Sequence, residues 1–100
     1  MADGEEFLLP ALVLYEWLRG PRIAEELALQ ESIFPAESVI PFDKEQAKVS
    51  ADLYRSVSRA RTREVDIAIA ACALVNDARL WTLNPADFQD VPGIQLYRPR

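Results

Sequence analysis

Four acids occupy positions where a carboxylate could do more than solvate a surface. The stretch "EVDIAIAACALVND", residues 64 to 77, carries Glu64 and Asp66 in the first turn of an apolar, alanine-rich helical pattern, directly after the arginine-rich run "RSVSRARTR". Glu16 sits in "ALVLYEWL", a run with few other polar positions, and Asp87 lies in "NPADF", which opens on Asn84. The sequence holds no histidine, which removes the usual general base, the usual zinc ligand and every Ser/His or Cys/His hydrolase. Hydrolysis by this chain would therefore fall to carboxylates. A hard cation such as Mg2+ takes oxygen ligands, keeps several waters and needs only a few carboxylates. Once bound, it lowers the pKa of a water and stabilises charge on a phosphoryl oxygen. Clustered acids without such an ion repel and raise one another's pKa, so a cluster implies either a cation or a proton.

Each of these residues also has a simpler role. Asn84 is a good helix N-cap, Pro85 a good first helical residue, and Asp87 then favours the helix dipole. Glu64 and Asp66 suit a helix N-terminus for the same electrostatic reason. Glu16 can be a partly exposed helix acid, although an unpaired carboxylate buried in so apolar a run would be costly. The arginines at 55, 59, 61 and 63 could contact phosphates beside the acids, or form a solvated helix end. Tyr15, Trp17 and Trp81 read as packing residues.

Composition bounds these options. One hundred residues, half of them apolar, make a single domain over residues 1–100 with one modest core. A net charge of -5 argues against bulk nucleic-acid binding, so any such contact must be local. The one cysteine, Cys72, lies within the alanine-rich pattern, so no internal disulfide forms and a reduced, buried thiol is expected. The opening "MADGEE" lacks a signal pattern, and no apolar run approaches the roughly 18 residues of a membrane span. The chain reads as cytoplasmic, without a membrane partner.

The elements that must position the acids follow from periodicity and punctuation. "FLLP" predicts a short strand at residues 6 to 9, and Pro10 the entry to a helix over about 11 to 19 that Gly20 and Pro21 stop. Residues 22 to 34 read as an amphipathic helix on Ile23, Leu27 and Phe34, and "SVIPF" as a second strand. Asp43 with Gln46 has capping-box spacing, ahead of a long helix in which Val49, Leu53 and Val57 repeat every four residues. The alanine-rich helix should bury Ile67, Ala70, Ala71 and Leu74; "RLWTL" and "GIQLY" read as a third and fourth strand around a short "NPADF" helix, before a frayed "RPR" tail. Strands separated by helices indicate an α/β fold with a mainly parallel sheet. In such sheets, segments at the carboxyl ends of strands converge on one crevice. Glu16 follows the first strand, Asp66 opens the helix before the third, and Asp87 follows the third.

From about residue 7 to Tyr97 the chain resembles PIN-domain proteins of the VapC toxin type. The resemblance rests on "LVLYEWLRG", "PFDKEQA", "REVDIAIAACALVNDARLWTLNPADF" and "VPGIQLY", in that order and spacing. It implies a three-layer α/β/α sandwich, dependence on Mg2+ or Mn2+, and endoribonuclease activity toward structured RNA such as tRNA, neutralised by a cognate VapB-like antitoxin; a homodimer is expected. By position, Glu16, Asp66 and Asp87 match the family's metal-binding acids and Asn84 the polar residue beside the last of them, while Glu64 more simply serves the helix terminus. Arg59, Arg61 and Arg63 are the candidate RNA contacts. The family's opening strand, central in the sheet and ending in an Asp, has no counterpart in "MADGEE", so a sheet lacking that strand is expected. With it comes an alternative role, a catalytically inactive remnant that binds an antitoxin or itself through the apolar faces of residues 11 to 34.

Overall fold

A computed structural model describes residues 8–97. The chain divides into two compact units, Met1–Pro41 and Phe42–Arg100. The expected "RPR" tail and the first two residues of the strand expected at 6 to 9 lie outside the described residues.

In the first unit, β1 (Leu9–Pro10) leads directly into α1 (Ala11–Leu18), and α2 (Ala24–Ile33) is followed by a 3-10 turn at Ala36–Ser38 and β2 (Val39–Ile40). The two strands pair in parallel, Leu9 with Val39 and Pro10 with Ile40. Pro10 serves both elements, because its φ of -62° and ψ of 140° are extended and its ring fixes the φ that a helix entry accepts. Helix α1 ends where the Arg19 and Gly20 amides bond back to Tyr15 O and Trp17 O, ahead of Pro21. At the start of α2, Glu26 Oε1 accepts the Ile23 N–H at 3.0 Å. The apolar residues of α2 do not form the expected stripe: Ile23 and Phe34 fall at its caps, and Leu27, Leu29 and Ile33 are all exposed. At about 100° per residue Ile23, Leu27 and Phe34 would fall within roughly 40° of one another, but only Leu27 of the three lies within the helix.

The second unit holds the core. Its elements are α3 (Lys44–Ser56), a 3-10 turn at Ala60–Thr62, α4 (Glu64–Val75) and a 3-10 turn at Pro85–Phe88. The capping box at the start of α3 forms, with the Glu45 N–H donating to Asp43 Oδ1 and the Asp43 N–H to Gln46 Oε1, both at 3.2 Å. Leu53, Ala60, Ile67, Ala70, Ala71, Phe88 and Val91 form the buried cluster, with Val49, Val57, Leu74, Leu80, Ile94 and Leu96 packed against it. The anticipated faces of α3 and α4 are therefore the buried ones. Helix α4 is buried beyond a stripe, since Ala68, Cys72 and Ala73 are also buried, and its small side chains let α3 pack closely.

The strands expected at 79–83 and 93–97 reduce to one parallel bridge, Leu80 with Leu96. The Leu80 N–H donates to Gln95 O at 2.7 Å and the Tyr97 N–H to Leu80 O at 2.8 Å. Beyond that pair, Leu83 is 92% exposed and Trp81 55% exposed, so Trp81 is no core residue; its ring lies 5.6 Å from that of Tyr97. Gly93, with φ at +78°, makes the turn that returns the chain toward Leu80, a conformation that a β-carbon would strain. Among the described residues the fold is thus mixed α/β, and both strand pairings run parallel.

Candidate functional site

Arg63 occupies the residue before α4, and its guanidinium gathers two further segments. One nitrogen, Nη1, donates to Ser58 O at 2.9 Å and Asp90 Oδ2 at 2.8 Å; the other, Nη2, donates to Asp87 O and Asp90 Oδ1, both at 2.7 Å. The Asp90 pair is bidentate, the geometry in which arginine binds a carboxylate best. The side chain of Arg63 is 17% exposed and that of Asp90 45%. The hydrogen bond to Asp90 is the first cause of a raised Arg63 pKa, and the charges of Asp66 and Asp87 raise it further. Two acids singled out by sequence therefore share the field of one guanidinium.

Packing brings both segments to Arg63. Asp66 immediately precedes Ile67, and Asp87 immediately precedes Phe88; Ile67 and Phe88 belong to the same buried cluster. Asp66 is the third residue of α4 and partly buried, whereas Asp87 is exposed in the turn at Pro85–Phe88. Asn84 stands at the N-cap of that turn, as its sequence suggests, but makes no side-chain cap bond. Its carbonyl accepts the Asp87 N–H at 3.0 Å, and its own N–H donates to Thr82 Oγ1 at 3.1 Å.

The four hydrogen bonds of Arg63 go to none of the remaining candidates. Glu64 is exposed and lines a shallow apolar pocket with Phe42, Tyr54, Arg55 and Ala68. Glu16 belongs to α1 in the first unit, exposed and 3.9 Å from Arg19. Arg59, with φ at 54° in the left-handed region, and Arg61 are both exposed before α4.

Asp66 and Asp87 offer the oxygen donors that a hard cation takes. Among the described residues, however, no group of three or more acid or cysteine side chains is close enough to hold a metal ion. Two residues escaped the sequence reading: Asp90, which looks like one more turn acid after "DF", and Thr82. The Arg63–Asp90 pair spans 27 residues and leaves no periodic trace.

No family model matches the chain. The chain is 38% identical over 96 residues to the protein named Ribonuclease VapC19 from Mycobacterium tuberculosis strain CDC 1551 / Oshkosh, a match covering 93% of this chain and 75% of that relative. The same figures hold for Ribonuclease VapC19 of strain ATCC 25618 / H37Rv. The chain belongs to the VapC-type PIN-domain toxin family. Among the described residues no helix is long and apolar enough to cross a membrane.

Proposed function

We propose that this chain is the ribonuclease of a toxin–antitoxin pair, an endoribonuclease that hydrolyses RNA phosphodiesters, with tRNA as the expected class of substrate. The observation that carries the reading is the 38% identity, over 96 residues, to proteins named as ribonucleases. The Arg63 guanidinium, bonded to Asp87 O and stabilised by the charges of Asp66 and Asp87, supports it. In this reading Asp66 and Asp87 orient the attacking water, Asn84 supports Asp87, and Glu16 is a further carboxylate of the reaction by resemblance. Dependence on Mg2+ or Mn2+ rests on the resemblance alone. So do the full α/β/α sandwich, a VapB-like antitoxin as inhibitor, and a homodimer.

A chain of net charge -5 repels RNA at long range, and local cations must overcome this. Arg59 and Arg61 are exposed just ahead of α4 and are the residues to meet phosphate there. The test is cleavage of mixed tRNA by the purified chain and by Glu16→Gln and Asp66→Asn. Each variant should lose at least about 100-fold in rate while keeping its far-UV spectrum, the scale expected when a group acting on the reacting atoms is removed. Undiminished cleavage by both variants would overturn the assignment of the acids.

A further inference from the structure

We propose that Arg63 is a positioning residue whose anchor is Asp90, tying the turn that carries Asn84 and Asp87 to the first turn of α4 that carries Asp66. The inference rests on the ribonuclease reading for its functional consequence, and on hydrogen-bond geometry for its structural part.

Four hydrogen bonds to Ser58 O, Asp87 O and both oxygens of Asp90 use most of the five N–H donors of a guanidinium. A phosphate could claim Arg63 only by displacing a bidentate carboxylate, so RNA binding is a poor account of this side chain. Its partners instead lie on separate segments: the loop after α3, and the turn 24 to 27 residues downstream. Phe88 and Val91, each 4% exposed, hold that turn against the core. Apolar packing is non-directional, however, and fixes depth better than orientation. Paired, planar bonds from Arg63 to Asp90 and Asp87 O supply the orientation. Because Asp90 takes both parallel bonds, Arg63 brings positive charge beside Asp66 and Asp87 while being held by a third acid.

The experiment compares wild type with Arg63→Gln, Arg63→Lys, Asp90→Asn and the double variant Arg63→Gln/Asp90→Asn. Single-turnover tRNA cleavage is measured over a range of RNA concentrations, together with amide hydrogen exchange. Arg63→Gln and Asp90→Asn should each lower the maximal rate about 10- to 100-fold with half-saturation within about 3-fold, as misplacement of reacting groups does. Arg63→Lys should recover part of the loss, and the double variant should be little worse than either single one, as expected for partners in one interaction. Amides at 84–90 should exchange at least about 10-fold faster while those of α4 at 67–73 keep their protection. A raised half-saturation with an unchanged maximal rate would make Arg63 a phosphate contact and overturn the proposal. Unchanged exchange at 84–90 would overturn it too, and this readout stands without any activity. Absence of cleavage by the wild type would instead defeat the ribonuclease reading, leaving exchange to decide the positioning role.

Discussion

Ile67 of α4 and Phe88 of the turn that follows Asn84 lie in one buried cluster, 2% and 4% exposed, and each directly follows one of the candidate acids. The segments that carry Asp66 and Asp87 are therefore anchored in one hydrophobic cluster. Acids on two distant segments can be brought together this way without any bond between them.

Phe88→Ala should accordingly damage both stability and the site. Truncating a buried phenylalanine costs about 3 to 5 kcal/mol, from lost transfer energy plus the cavity left behind. Urea unfolding followed by circular dichroism measures it. Phe88→Leu, which keeps most of the volume, should cost roughly 1.5 kcal/mol or less. Equal losses for the two variants would show that Phe88 is not packed in this core.

Asp90 gives the protein a pH signature. The hydrogen bond from Arg63, and then its charge, hold the Asp90 carboxyl below its ordinary 3.8. A lowered native value means that the unfolded chain takes up the proton first as acid is added. The stabilisation is thus complete above about pH 4 and is lost as pH falls through the native pKa. Arg63, with its pKa raised, stays charged across this range. Asp90→Asn should lower the unfolding midpoint at pH 7, and the gap to wild type should close toward pH 2. A gap of constant size from pH 7 to pH 2 would contradict the pairing.

Cys72 reports on the opening of the second unit. It is 1% exposed, and burial first, then the negative charge of Asp43, pushes its thiol pKa up. Both effects suppress the reactive thiolate. As the one cysteine in the sequence, it should react with iodoacetamide at least about 100-fold more slowly in the native protein than in urea, read by intact mass. Comparable rates in both states would mean that α4 is not packed as described.

Local rules carried much of this fold. The Asp43–Gln46 capping box, the Val49, Leu53 and Val57 repeat and the buried Ile67, Ala70 and Ala71 face are all written in spacings of three or four residues, and all form. Parallel pairing was also legible, from apolar runs separated by helices. Strand length was not: "RLWTL" and "GIQLY" have strand composition, but ladder length depends on neighbours that composition does not specify, and only Leu80 and Leu96 pair. Trp81 shows the same limit, since its exposure depends on its neighbours, here the tilted ring of Tyr97. Of the site, the acids were visible because few residues in apolar stretches can be polar without reason. The pairing of Arg63, read from sequence as an RNA contact, with Asp90 was not, because it joins residues 27 apart and leaves no periodic trace.

The central claim is tested most directly by incubating the purified chain with end-labelled tRNA in Mg2+ and, in parallel, with a chelator. The account predicts discrete cleavage products in Mg2+, none in chelator, recovery on adding the metal back, and loss of the products in Asp66→Asn. Intact tRNA in Mg2+ and Mn2+ alike, from a chain whose circular dichroism shows it folded, would contradict it.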